Sequence, residues 1–213
     1  MRTCYDSTSA ADLPADAAMV AGYINGTYKW SDADWARFPT QIKVRIATNA
    51  QTDDGEVLDV ETGDALPHEA PGWVLMRRAA GVDPTVYCNL SNVDALRAEF
   101  RQRAIPEPHY WLAHYDNVAE IPDGFVAKQY ADQALIPGQP HYDLSVVADI
   151  WPGVDGGEMT PQEVQAAIDA SIAAYGVRLQ AELDANYALK VHPHTATAST
   201  KTVTLLPPDI TVT

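Results

Sequence analysis

The sequence predicts an α/β chain: a small (β/α)-type, TIM-like barrel with its late helices missing, followed by a C-terminal helix and an extended tail. Three observations predict it. Short runs rich in Val, Ile, Tyr and Trp, bounded by Gly, Pro, Asn or Asp, recur about eight times over the first 150 or so residues. Segments of helical period fall between these runs mainly in the first half, while the later runs are joined by Pro- and Gly-containing links of about ten residues, too short for a proper helix. After Trp151-Pro152-Gly153 the strand pattern stops and one long helical period begins. A doubly wound open sheet is the main rival arrangement.

The expected strands are Thr3–Ser7, Ala18–Ile24, Ile42–Thr48, Val57–Glu61, Thr85–Asn89, Tyr110–Tyr115, Phe125–Ala131 and Tyr142–Val147. A short helix is expected over Asp32–Phe38, capped by Ser31. A second covers Pro67–Ala80 and carries Trp73, Met76 and Arg77. A third covers Asn92–Ala104, with Val93, Leu96 and Phe100 at helical spacing and Ser91 as cap. The link Ala50–Gly55 leaves no room for a full helix. The barrel is expected to occupy residues 1–152, with a linker at 153–159. Thr160-Pro161-Gln162-Glu163 then opens a helix to about residue 190: Thr160 caps it, Pro161 takes its first position and Glu163 completes a capping box. Val164, Ile168, Ile172, Tyr175, Leu179 and Leu183 form one apolar stripe along it, which needs a surface to pack on: the barrel, a second copy or another protein. The Thr- and Pro-rich residues 191–213 read as an extended tail ordered on a partner.

Composition narrows the function classes. The 213 residues are 46% hydrophobic and 20% charged, as in globular proteins. A net charge of −15 argues against nucleic acid and anionic lipid as partners, since both would be repelled, and is neutral toward an uncharged sugar polymer. No apolar run approaches the roughly 18 residues that cross a bilayer. Met1-Arg2-Thr3-Cys4-Tyr5-Asp6 leads straight into strand-like sequence, which reads as lacking a signal peptide. Cys4 and Cys88, both in apolar runs, read as buried thiols rather than a disulfide framework. No metal or cofactor is expected: Asp53, Asp54 and Glu56 lack EF-hand spacing, and His192 and His194 are too sparse for a metal site.

The most telling segment is Glu56-Val57-Leu58-Asp59-Val60-Glu61. Residues i and i+2 of a strand share a face, so Asp59 and Glu61 project together from a run that otherwise reads as core. Burying a carboxylate is costly and crowding two raises the pKa of one. Glycosidic bond cleavage needs such a pair, one protonated to donate and one ionised to stabilise. A solvated strand end is the plain alternative for this pair, and barrel core the alternative for Tyr87 and Trp111.

Six motifs follow one another over residues 1–152: Tyr5-Asp6-Ser7, Leu58-Asp59-Val60-Glu61, Val86-Tyr87-Cys88, Tyr110-Trp111-Leu112-Ala113-His114-Tyr115, Lys128-Gln129-Tyr130 and Tyr142-Asp143-Leu144-Ser145. Their order resembles glycoside hydrolase family 25, the lysozyme-like N-acetylmuramidases, in the compact form found in actinobacteria and their phages. The resemblance implies cleavage of the β-1,4 bond of the peptidoglycan glycan strand. Glu61 would be the general acid. Asp59 would orient the reacting N-acetyl group or stabilise the developing cation, and Asp6 and Asp143 would hold the electrostatics and contact sugar. Tyr87, Trp111, Tyr115, Gln129 and Tyr130 would bind substrate. The short Ala50–Gly55 link and the unusual Lys43-Val44-Arg45-Ile46 depart from the family pattern and point to a shallower cleft. A catalytically weak or inactive wall-binding virion protein on the same barrel is the alternative, and another glycan hydrolase a third reading. With no signal peptide, a place in a phage tail or related particle is expected, with residues 160–213 meeting other particle proteins or a second copy.

Overall fold

The computed structural model describes residues 1–132, 141–155 and 161–190. Eight strands close a barrel in chain order. They are β1 (Arg2–Asp6), β2 (Met19–Tyr23), β3 (Ile42–Ala47), β4 (Val57–Val60), β5 (Thr85–Asn89), β6 (His109–Ala113), β7 (Ala127–Asp132) and β8 (Asp143–Val147). The α/β class and the barrel agree with expectation. Neighbours from β1 to β7 pair in parallel, but β8 runs antiparallel to both β7 and β1. A TIM barrel has eight parallel strands, so β8 departs from the expected pattern. Only residues 133–142 separate it from β7. A parallel return needs a crossover of a dozen or more residues, and this link is shorter.

Helices α1 (Asp32–Ala36), α2 (Ala70–Ala79) and α3 (Val93–Gln102) lie in the β2–β3, β4–β5 and β5–β6 connections. Ser31 caps α1 as expected: its hydroxyl accepts from the Asp34 N–H while the Asp34 carboxylate accepts from the Ser31 N–H. The expected cap at Ser91 is displaced. The Ser91 hydroxyl donates to Asn89 Oδ1 at 2.6 Å, and that oxygen caps a 3-10 turn at Leu90–Asn92 that precedes α3.

Alternation along the strands makes two layers. Inward-facing Cys4, Met19, Val44, Val57, Ala127 and Val147 line the interior with Tyr87, Trp111 and Trp151. The aromatic rings meet edge to face, Tyr87 on Trp111 at 5.0 Å and Trp111 on Trp151 at 5.4 Å. Their polar edges are satisfied: Trp151 Nε1 donates to Thr85 Oγ1 at 2.8 Å and Trp111 Nε1 to Ser145 Oγ at 3.0 Å. Trp151 therefore plugs the barrel where β5 begins and β8 ends. Outside, α2 and α3 bury Trp73, Leu96 and Phe100 against Leu58, Val86 and Leu112. Trp30 and Phe38 cover Val20. Gly22 is needed there, since a Cβ would stand 2.4 Å from the Trp30 indole.

No helix occupies the described β3–β4 link. Ion pairs hold it instead. Arg45 grips Asp54 through two contacts of 2.7 and 2.5 Å, and Arg77 holds Asp53 at 2.7 Å. These acids are thus committed to arginines, and among the described residues no cluster suits a metal ion. Cys4 and Cys88 are free and buried.

Helix α4 spans Pro161–Lys190. Along it Ile172, Leu179 and Leu183 of the expected stripe are exposed, as is Val177. The chain divides into two units, Met1–Arg178 and Leu179–Thr213. The Thr160 cap, most of the linker and the 191–213 tail lie outside the described residues. No described helix is long and apolar enough to cross a membrane.

Trp151→Ala is expected to lower unfolding free energy by roughly 3–5 kcal/mol, the usual cost of emptying a fully buried tryptophan site. Denaturant melts of the two proteins measure it.

Candidate active site

Because β8 is reversed, its first residue stands at the rim where the other strands end. Asp6 closes β1, Asp132 closes β7 and Asp143 opens β8; in register, Asp143 is the Cα partner of both Asp6 and Asp132. Across the rim, β4 delivers Asp59, and Glu61 follows just beyond the strand. Asp6 and Asp59 are only 6% and 3% exposed, and Oδ1 of each finds no hydrogen-bond partner among the described residues. Such orphaned buried oxygens are rare in native folds.

The two sides of the rim meet through one amide. Gln129, 2% exposed, donates from Nε2 to Asp6 Oδ2 at 2.8 Å and to Asp143 Oδ2 at 3.1 Å. Its Oε1 accepts from the Tyr87 and Tyr115 hydroxyls, both at 2.6 Å. Tyr115 Oη also lies 3.1 Å from Asp143 Oδ2. The register of β7 shifts between Gln129 and Ala131, so Tyr130 sits in a bulge. Bulges re-aim side chains beside active sites, and this one turns Gln129 inward while Asp132 still faces Asp143.

Desolvation dominates the electrostatics. Burial, then the charge of Asp143, drive the Asp6 carboxyl well above its ordinary value, against the Gln129 hydrogen bond. Burial, then Glu61, do the same to Asp59. Glu61 is raised by burial and by Asp64, while the Tyr87 hydroxyl opposes the rise. Burial and the adjoining Asp132 push Asp143 up to about 6. Each of these acids holds its proton to a higher pH than an ordinary carboxyl does, which favours proton donation.

Asp59 and Glu61 line one cleft of about 370 Å³ with Tyr23, Tyr28 and Asp64. Asp6, Asp132 and Asp143 line a second of about 300 Å³ with His141, and Thr8 borders both. The expected acids thus converge on one rim. Of the expected substrate contacts, Trp111 does not reach it, and Tyr87 and Gln129 reach it only through buried hydrogen bonds. Trp111, 1% exposed, belongs to the interior stack, and buried Tyr87 and Gln129 serve the hydrogen-bond network instead of presenting a face to sugar. Tyr130 is half-buried in the bulge. Tyr115 is 50% exposed and does stand open at the rim. Sequence reasoning missed Asp132, whose position opposite Asp143 follows only from the antiparallel register, and Asp64, whose signal was its spacing three residues after Glu61.

Two outcomes follow from this geometry. Gln129→Leu removes the amide donor that lowers Asp6, so the Asp6 midpoint is expected to rise further, read by carboxyl carbon NMR titration. Asp143 holds its proton more tightly when folded than at its ordinary value of 3.8. Its contribution therefore favours the fold at low pH and is lost as pH rises from near 4 through about 6. Asp143→Asn is expected to flatten the fall in Tm between pH 4 and 7, measured by calorimetry.

Comparison with protein-family models, curated proteins and solved structures finds no match for this chain.

Proposed function

We propose that the chain is a peptidoglycan-cleaving glycoside hydrolase of the N-acetylmuramidase kind, acting as part of a phage tail or related particle. The barrel is read as a (β/α) TIM-like one with a reversed last strand. The observation that carries the reading is the shared cleft of Asp59 and Glu61: one carboxyl wholly desolvated with an orphaned oxygen, the other half-buried, raised and open to a ligand.

Glu61, whose carboxyl burial raises, donates its proton to the glycosidic oxygen as the bond from that oxygen to the anomeric carbon breaks. The Asp59 carboxyl, lining the same cleft, orients the acetamide of the sugar, whose oxygen bonds to the anomeric carbon and takes up the positive charge that develops there. Water then adds to that carbon, losing its proton to the Glu61 carboxylate, and the acetamide is released. Asp6, Asp132 and Asp143 keep the neighbouring cleft of the rim acidic, which disfavours ionising all rim carboxyls at once. The exposed apolar residues of α4 support attachment to other particle proteins through residues 160–213, or to a second copy of this chain.

The test is loss of turbidity of an actinobacterial wall suspension. The intact protein is expected to clear it, with a rate that falls as pH rises through the Glu61 midpoint, and Glu61→Gln to lose at least a hundredfold. Equal clearing by both proteins overturns Glu61 as the acid. No clearing by either leaves a wall-binding virion protein on the same barrel.

A further inference from the structure

The cleft of Asp59 and Glu61 does not end at the acids. It shares Thr27, Thr48, Gly63 and Asp64 with a larger concavity of about 570 Å³ that runs over the loops following β2 and β3. This arm is built by specific contacts. Asn25 Nδ2 donates to Thr52 Oγ1 at 2.6 Å, while Asn25 Oδ1 accepts from the Thr48 N–H at 2.8 Å. Asn49 Oδ1 accepts from the Gln51 N–H at 2.7 Å. The Trp73 indole donates to the Thr52 carbonyl at 2.9 Å and so ties the loop to the core under α2. Gly26 takes a positive φ of 74°, and a Cβ there would meet Thr48 Oγ1 at 2.7 Å. The two loops are locked together before any ligand arrives.

What remains unspent faces outward. The side chains of Thr27 and Gln51 are exposed and make no hydrogen bond among the described residues. Tyr28, 56% exposed, stands at the junction of arm and acids, tilted against Tyr23 at 6.4 Å. Among the described residues no lysine or arginine lines either concavity, while Asp59, Glu61 and Asp64 do. Hydroxyls, carboxamides and one open aromatic face suit a sugar ring: the polar groups meet its hydroxyls and the aromatic face its C–H side. A lining of acids with no cation among the described residues offers an anionic sugar no counter-charge.

We propose that the β2–β3 loops form a saccharide-binding arm of the active-site cleft, taking a neutral, hydroxyl- and acetamide-bearing sugar unit next to the one held over Asp59 and Glu61. This inference rests on the saccharide reading of the rim. It gives the protein a reason to act on a polymer and not on an isolated disaccharide.

The test uses the full chain carrying Glu61→Gln, so that ligand is not consumed. It is titrated with a β-1,4-linked N-acetylglucosamine tetramer and, separately, with an oligogalacturonate of the same length. Amide NMR is expected to show shifts at Gly26, Thr27, Thr48 and Asn49 with the neutral tetramer only. Adding Thr27→Val and Gln51→Ala, which leave Tm unchanged, is expected to weaken its binding about tenfold. Shifts confined to the acid rim, no shifts at all, unchanged affinity in the double variant or equal binding of the anionic oligomer each overturn the arm. Wall clearing by the unsubstituted protein is read independently. Clearing without arm shifts removes the arm and keeps the hydrolase; arm shifts without clearing keep a sugar site and remove the hydrolase.

Discussion

A single carboxamide sets the state of the acidic rim. Gln129 gives both its N–H groups to carboxylates and both lone pairs to phenols, and every one of those partners comes from a different element. An ionised side chain in its place would repel the acids or strip the phenols of an acceptor, and an apolar one would leave several buried groups unsatisfied. Because the amide is neutral, its hydrogen bond opposes but does not reverse the burial and repulsion that raise Asp6. Among the described residues the cations lie elsewhere: Arg45 and Arg77 are committed to the β3–β4 link, and Lys128 to Asp116 behind the barrel wall. The rim is thus shielded from the charges that would make ordinary carboxylates of it.

The strands were legible because alternation and turn residues mark each of them locally. Ser31 was legible as a cap because its partner Asp34 lies three residues away. The direction of β8 was not, since a strand pattern reads the same in either direction and only the length of the preceding link forbids a parallel return. That direction decides which residues face Asp143, and so Asp132 escaped notice. Depth inside the barrel was equally hidden. Trp111 and Tyr115 lie on one short segment, yet the first is sealed in the interior stack and the second opens at the rim. Period-two alternation separates inside from outside but does not distinguish floor from mouth.

The pairing of Asp59 with Glu61 could be read from two positions because a strand places i and i+2 together. The loops that extend the cleft could not. Asn25, Thr48 and Thr52 become one surface only when β2 and β3 lie side by side, and none carries a signature by itself. The missing β3–β4 helix, which suggested a reduced cleft, leaves a short loop braced by arginines, and the exposed face of that loop is where the cleft continues.

The two ends of the barrel are joined at its closed pole. The Arg2 guanidinium binds the Asp155 carboxylate through two contacts of 2.6 Å and also the Ala148 carbonyl, and the Met1 amine pairs with Asp149. Trp151 seals that same pole, while the carboxyls open at the other. A force applied at either end of residues 1–155 therefore acts on the pole that Trp151 seals and not on the acidic rim.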